Sequence, residues 1–228
     1  MSRRAVLVSL LLLGQSALAY GDGASPAVVE LSNLLPPPPA AGSMAAQRDL
    51  QAVLAAQQTR TAQDMAAAKA DSERSVFRFA DAVGLTMQPA ALPKTAAFFD
   101  RVAKLDKAEA KEAKQFWKHP RPSVVSGQVH ALSKEKPNDW SYPSGHATFA
   151  YTTAVLLTNM LPEKREAIFA RAALYGEHRV VMGVHFPSDV EAGKIAGTVI
   201  ADEILRDPQW QADYDAARSE LRHALGLP

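Results

Sequence analysis

The sequence of 228 residues contains no cysteine, and this absence excludes several kinds of chemistry. A chain without thiols has no disulfide, no cysteine nucleophile, no thiolate-bound zinc and no lipid-anchored cysteine. Its composition is nevertheless that of an ordinary globular protein, with 47% hydrophobic and 21% charged residues. A chain of this length buries about 70% of the surface that its unfolded form exposes, so a core forms without disulfides.

An excess of charge of one sign is also missing. The chain has 25 basic and 24 acidic side chains, for a formal net charge of +1. Such a balance provides no overall field that would attract nucleic acid or an anionic membrane. We therefore expect no nucleic-acid or membrane partner, and any anion-binding site must be local.

Long apolar runs are scarce, and the one that stands out lies near the N terminus, at 5–13. Arg3 and Arg4 precede it, and the small-x-small sequence Ala17-Leu18-Ala19 follows. The run is shorter than the roughly 20 residues that cross a bilayer. This pattern predicts a signal peptide at 1–19 that is cleaved after Ala19, and hence a periplasmic or secreted protein.

Runs of alternating Val, Ile and Thr bounded by turn dipeptides are missing too, so no sheet is predicted. Apolar spacing and helix-forming residues instead predict an all-α domain at 43–228, with helices at 43–72, 74–83, 93–117, 146–160, 163–183, 188–205 and 208–225. Pro93, Pro162 and Pro208 fit the first turn of a helix, and Ser188 with Glu191 suggests a capping box.

The segment at 20–42 is predicted to be extended, because it contains four consecutive prolines at 36–39. Proline fixes its own backbone angle and lacks an amide hydrogen, so this run favours a polyproline conformation. A strap on the protein surface and a plain linker explain the composition equally well.

Three clusters carry candidate chemistry, and the first lies where the helix at 93–117 ends. Lys114 and Arg121 are seven residues apart, and Pro120 and Pro122 break the helix beside them. The break allows both cations to face one pocket, where they would bind an anion. Taken alone, such a basic run more often compensates a helix dipole on a solvated face.

The second cluster is Pro143-Ser144-Gly145-His146, immediately before the apolar helix. A turn of this kind at a helix start presents free amide hydrogens, the Ser144 hydroxyl and the positive end of the helix dipole, which together suit a phosphate. A capping role for Ser144 and a surface role for His146 are equally compatible with this tetrapeptide.

In the third cluster, Arg179 ends one helix, His185 follows in a turn, and Asp189 comes four residues later in the next helix. A carboxylate that binds one imidazole nitrogen leaves the other free to act as a nucleophile. Asp189 can also support the start of its helix, and the two roles are compatible.

In this order, Lys-x6-Arg-Pro, Pro-Ser-Gly-His and Arg-x5-His-x3-Asp resemble the signature of the phosphatidic acid phosphatase type 2 (PAP2) superfamily. That superfamily includes bacterial class A acid phosphatases, membrane lipid phosphatases and vanadium haloperoxidases. The resemblance is closest to the secreted class A enzymes, which share the signal peptide, the proline run and a stretch like 183–193. One position departs from the family pattern, because His178 stands where a serine is usual.

The resemblance implies a single-domain helical bundle and a role for each matching residue. His185 would attack phosphorus to form a phosphohistidine, Asp189 would orient it, and His146 would protonate the leaving group. The phosphate would be bound by five residues, namely Lys114, Arg121, Ser144, Gly145 and Arg179. No metal or other cofactor is expected, because the cations take that role. The expected partners are small phosphate monoesters of broad range, and a homo-oligomer is compatible with the sequence.

Two other functions are kept as alternatives. A vanadate-dependent haloperoxidase would use the same donors to bind vanadate, although the short chain and the proline run favour the phosphatase. A phosphate-binding module without turnover is the second alternative. The spacing of His185 and Asp189 speaks against it, because binding alone requires no oriented nucleophile.

Overall fold

The computed structural model describes residues 29–84, 88–134, 136 and 138–228. Within these residues all regular structure is helical, which confirms the predicted fold class. The described elements, in chain order, are α1 (Leu31–Leu34), α2 (Met44–Thr59), α3 (Ala62–Ala70), a 3₁₀ turn (Val76–Phe79), α4 (Ala80–Val83), α5 (Pro93–Trp117), α6 (Pro122–Val125), α7 (Gly145–Met160), a second 3₁₀ turn (Pro162–Lys164), α8 (Arg165–Val181), α9 (Pro187–Arg206) and α10 (Pro208–Ala224).

Helix α7 forms the centre of the bundle. It is apolar on nearly every side, and Phe149, Ala150 and Thr152, which point to different faces, are all fully buried. A helix that is hydrophobic all round must be covered by other elements, and α7 packs against α5, α8 and α9. The N-terminus of α7 therefore lies inside the protein, next to the ends of its neighbours.

Prolines begin several helices, as expected from their fixed backbone angle. Helix α5 begins at Pro93, α10 at Pro208 and the second 3₁₀ turn at Pro162. Helix α9 begins at Pro187 rather than at 188. No helix among the described residues is long and apolar enough to cross a membrane.

The single helix predicted at 43–72 is wrong, because the chain breaks at Arg60. The Thr61 hydroxyl accepts a hydrogen bond from the Asp64 amide at 3.1 Å, and the Asp64 carboxylate accepts one from the Thr61 amide at 2.8 Å. This capping box starts a new helix, α3, and Arg60 donates to the carbonyl of Val181 at 2.9 Å. The helix predicted at 74–83 is likewise a 3₁₀ turn followed by one α-helical turn.

The capping box predicted for Ser188 and Glu191 is also wrong. Because Pro187 is the first helical residue, Asp189 takes the third position of α9, and its carboxylate accepts from the Phe186 amide at 2.8 Å. Ser188 instead donates its hydroxyl to Asp49 on α2. Asp189 therefore supports the start of α9 as well as facing His185.

The proline run lies against the helical body in the part of the chain that is described. It follows the single turn α1 within the segment predicted to be extended, and the Tyr142 hydroxyl donates to the Pro36 carbonyl. This contact ties the segment to the loop before α7. The predicted signal peptide at 1–19 lies outside the described residues.

Candidate active site

The turn between α8 and α9 positions His185 against Asp189. Nδ1 of His185 lies 3.2 Å from Oδ2 of Asp189, and both side chains are buried. The same carboxylate oxygen accepts from the Phe186 amide and from the Ser141 hydroxyl. Burial raises the pKa of Asp189, and the hydrogen bonds from Ser141 and Phe186 oppose this rise. Asp189 is thereby held in one orientation towards the imidazole.

Arg121 approaches the other nitrogen of the same imidazole. Its Nη1 lies 3.0 Å from Nε2 of His185 and donates to the Val184 carbonyl at 2.7 Å. A guanidinium only donates hydrogen bonds, so Nε2 carries a lone pair and Nδ1 carries the proton that faces Asp189. Burial, then Arg121 and Lys114, hold the pKa of His185 well below its usual range. His185 is therefore a neutral imidazole whose Nε2 carries the lone pair.

The start of α7 lies directly beside this pair. The Ser144 amide donates to the Asp189 carbonyl at 2.9 Å, which joins the second sequence cluster to the third. The Ser144 side chain caps the helix by accepting from the Ala147 amide at 3.3 Å. Gly145 is the first helical residue, and amides in a first turn have no partner within their own helix. The positive end of α7 thus faces the site.

Lys114 and Arg121 converge from the end of α5 and the loop after it. Lys114 donates to the carbonyls of Trp140 and Ser141, the latter at 2.9 Å. Burial and the nearby Arg121 lower the pKa of Lys114 to about 7. Arg121 also pairs with the Asp139 carboxylate at 3.0 Å. Lys114, still inside α5, and Arg121, just after the break, thus both face the interior.

His146 and Arg179 meet at Ser72, a residue that sequence analysis did not single out. Nε2 of His146 lies 3.1 Å from the Ser72 carbonyl, and Nη1 of Arg179 lies 3.3 Å from the Ser72 hydroxyl. The carbonyl can only accept, so Nε2 of His146 carries a proton. Burial, then Arg179 and Arg74, hold the pKa of His146 well below its usual range.

The structure thus brings all eight predicted residues together, and it adds others. Ser141 holds Asp189, and its place beside the Pro-Ser-Gly-His motif was a usable signal. His119 is a second imidazole at this carboxylate, with Nδ1 at 3.8 Å from Oδ1 of Asp189. Ser72 and Arg74 lie in the segment between α3 and the first 3₁₀ turn, which carries no motif in the sequence.

His178, the position at which the sequence departs from the pattern it resembles, makes a buried hydrogen bond with a carboxylate. Its Nδ1 lies 2.6 Å from Asp71, which also binds Arg171 and Arg78. Burial raises the pKa of Asp71, but the hydrogen bonds from His178 and Arg171 outweigh it and lower the pKa to about 2. His178 therefore fastens α8 to the segment that carries Ser72.

A cavity of about 490 Å³ lies on the outer side of Arg121, with Asp139 and Trp140 in its wall, and Arg121 is the one predicted site residue that lines it. Among the described residues, no group of three or more His, Asp or Glu side chains is arranged to bind a metal ion. The arrangement offers an anion a set of cations and amides, together with the lone pair on Nε2 of His185 and the imidazole of His146.

Comparison with known proteins gives the chain a family. Residues 104–213 match the PAP2 superfamily. An acid phosphatase of Zymomonas mobilis is 30% identical over 197 residues, covering 83% of this chain and 75% of the relative. A non-specific acid phosphatase of Salmonella typhi is 28% identical, covering 85% of this chain and 80% of the relative.

A more distant relative is an undecaprenyl-diphosphatase of Sulfolobus acidocaldarius, which is 42% identical over 71 residues, or 31% of this chain and 34% of its own length. Among solved structures, a transmembrane PAP2-type phosphatidylglycerolphosphate phosphatase from Bacillus subtilis superposes with a TM-score of 0.52. It is 22% identical, covers 75% of this chain and 87% of its own, and shows the fold. The chain is therefore a member of the PAP2 superfamily of phosphatases, homologous to the bacterial non-specific acid phosphatases.

Proposed function

We propose that this protein is a secreted acid phosphatase that hydrolyses phosphate monoesters of broad range through a phosphohistidine on His185. The two contacts of the His185 ring carry the proposal: Asp189 at Nδ1 and Arg121 at Nε2. They leave a neutral imidazole whose lone pair points towards a guanidinium. A phosphate that binds this guanidinium is brought next to the nucleophilic nitrogen.

Five groups would bind the phosphoryl oxygens. Lys114, Arg121 and Arg179 supply charge, while the Ser144 hydroxyl and the Gly145 amide supply further donors. Donors held in place before the substrate arrives stabilise the charge that develops in phosphoryl transfer. They do the work that divalent ions do in other phosphatases, so we propose a reaction that needs no metal.

The reaction then proceeds in two displacements. Nε2 of His185 bonds to phosphorus, the bond from phosphorus to the ester oxygen breaks, and protonated His146 gives the proton on its Nδ1 to the departing alcohol, while Nε2 keeps its hydrogen bond to Ser72. A water molecule next attacks phosphorus, His146 takes a proton from it, and orthophosphate leaves His185. A bound dianion favours the protonated form of His146, which opposes the effect of burial on its pKa.

Secretion is proposed from the segment at 1–19, in which two arginines precede a short apolar run and a small-x-small site. The similarity in sequence to acid phosphatases supports phosphate monoesters as the substrates. A phosphate-binding module is disfavoured by the oriented imidazole. Halide oxidation in added vanadate, measured beside phosphate release, would separate a haloperoxidase from a phosphatase.

The decisive experiment is a rapid quench of the whole protein with a labelled aryl phosphate under single-turnover conditions. The parent should give an acid-labile, base-stable phosphoprotein and release phosphate most rapidly in acid. His185→Ala should give neither, yet still bind inorganic phosphate, because the cations are intact. His223→Ala, which removes an exposed histidine from the last turn of α10, is the matched control. Absence of an adduct in the parent would exclude His185 as the nucleophile.

A further inference from the structure

The segment from 71 to 75, between α3 and the first 3₁₀ turn, crosses the start of α7 and is held there by its backbone. The Ser72 carbonyl accepts from His146, and the Glu73 carbonyl accepts from the Tyr175 hydroxyl. These contacts place the next residue, Arg74, at the rim of the proposed phosphate site. A Cβ atom on Gly145 would lie only 3.0 Å from Nη2 of Arg74.

No carboxylate among the described residues lies within ion-pair distance of Arg74, and its Nε has no hydrogen-bond partner there. Asp106 exerts the largest acidic influence on its pKa, ahead of Asp139, but the Thr152 hydroxyl donates to one oxygen of Asp106 at 2.8 Å. Burial raises the pKa of Asp106 to about 7, so this carboxyl is largely protonated in acid. A guanidinium in these surroundings loses hydration without gaining a counterion.

The position of Arg74 indicates which part of a substrate it would meet. Gly145 belongs to the proposed phosphoryl site, and His146 belongs to the leaving-group side. Arg74 lies next to the first, and it is close enough to the second to depress the pKa of the His146 ring. An anionic group attached just beyond the scissile oxygen would therefore lie beside Arg74.

We infer that Arg74 is a specificity-determining residue that binds a second anionic group on the leaving-group side, so that diphosphate monoesters are better substrates than neutral esters. This inference rests on the proposed function. For an alkyl diphosphate, His185 would attack the terminal phosphorus, the anhydride bond would break, and the alkyl phosphate would depart with the bridging oxygen. Arg74 would stabilise the charge of that departing group by a charge-assisted hydrogen bond.

The test compares kcat/KM for an alkyl diphosphate and for 4-nitrophenyl phosphate. The leaving group of the second ester is good but carries no charge while it is bound. Arg74→Gln should lower kcat/KM for the diphosphate by about tenfold or more, equivalent to roughly 1.4 kcal/mol or more, and that for the aryl ester by less than about threefold. Any change in the pKa of His146 in the free enzyme acts on both substrates alike, so it cancels in the ratio.

Two further variants make the test conclusive. Arg74→Lys should recover part of the preference for the diphosphate, because it keeps the charge. Arg101→Gln removes the same charge where α5 packs against α10 and Arg101 pairs with Asp213 at 2.9 Å, and it should leave the ratio unchanged. Equal losses for both substrates in Arg74→Gln, or no recovery in Arg74→Lys, would overturn the inference. If the parent hydrolyses neither ester, the proposed function itself fails.

Discussion

Gly193→Ala tests whether the close crossing of α7 and α9 is what positions the site. Gly193 lies on α9 one turn after Asp189 and faces the start of α7. A Cβ atom there would lie 2.6 Å from the Ser144 carbonyl oxygen and 2.8 Å from Cβ of Ala147. Ordinary contacts begin near 3.4 Å, so the two helices would have to separate locally by about 0.8 Å.

This separation has two consequences of different size. Overpacking of a well-packed interface costs roughly 1–3 kcal/mol, and each kcal/mol lowers Tm by about 2–4 °C in a domain of this size. The displaced elements also carry Ser144 and Asp189, which are joined by a hydrogen bond of 2.9 Å. A displacement of about 1 Å between reacting groups costs on the order of 100-fold in rate. We therefore expect a modest loss of stability and a large loss of kcat/KM.

Gly197→Ala provides a comparison on the same helix face. Its Cβ atom would lie 2.3 Å from the Thr148 carbonyl oxygen and 2.7 Å from the Thr152 amide nitrogen, which is a tighter clash one turn further from the site. It should therefore lose more stability than Gly193→Ala but less activity per molecule that remains folded. Thr198→Ala is the control, because Thr198 is exposed and its hydroxyl donates only to the Lys194 carbonyl.

Thermal unfolding followed by circular dichroism measures the first effect. The second is measured by kcat/KM for 4-nitrophenyl phosphate, well below the Tm of each variant. A Gly193→Ala protein with the activity of the parent would show that the contact does not position the site. If activity instead fell in proportion to Tm across both glycine variants, the loss would reflect unfolding rather than displacement.

Three further predictions concern the proton donor of the site, the charge on Lys114 and the absence of a metal requirement. His146→Ala should reduce kcat/KM far more for an alkyl phosphate than for a nitrophenyl ester, because only the alkoxide needs a proton to depart; equal reductions would remove His146 as the acid. The inhibition constant of sulfate, which is a dianion throughout the range, should rise as pH increases through about 7, because Lys114 then loses its proton. The rise should be about 10–100-fold in the parent and absent in Lys114→Met. A flat profile in the parent would contradict a titrating Lys114. Prolonged chelation should leave activity unchanged while vanadate inhibits competitively, and recovery of lost activity by a divalent ion would refute the metal-free mechanism.

Local features of the chain were predictable, because they depend on neighbours in the sequence. Helix α5 was predicted at the bounds that the structure shows, since Pro93 begins it and Pro120 with Pro122 follows its end. His185 lies in the turn before α9 and Asp189 in the first turn of that helix, so their separation of four residues in the sequence is enough to bring the two side chains together. At Arg60 two local signals competed: the apolar spacing continued, but Thr61 and Asp64 form a capping box that starts a new helix. The predicted helix was therefore too long.

The candidate site was predictable as a set of residues, but its contacts were not. The order of the three clusters identified eight positions, and the structure brings all eight together. No sequence pattern indicated a partner for Nε2 of His185, to which Arg121 donates from 64 residues away. Ser72 and Arg74 were likewise not predictable, because a segment that acts through backbone carbonyls and one side chain leaves no pattern of residue types.

The sequence by itself thus determined most of the long helices, the balance of charge and the identity of the candidate reactive groups. Tertiary structure decided which nitrogen of His185 carries the lone pair, how far burial lowers the pKa of Lys114, and that Arg74 lies beside Gly145. The physical reason is one of range. Helix periodicity, caps and side-chain acidity arise within a few residues, whereas desolvation and hydrogen bonds across the bundle exist only after α7 has been enclosed by α5, α8 and α9.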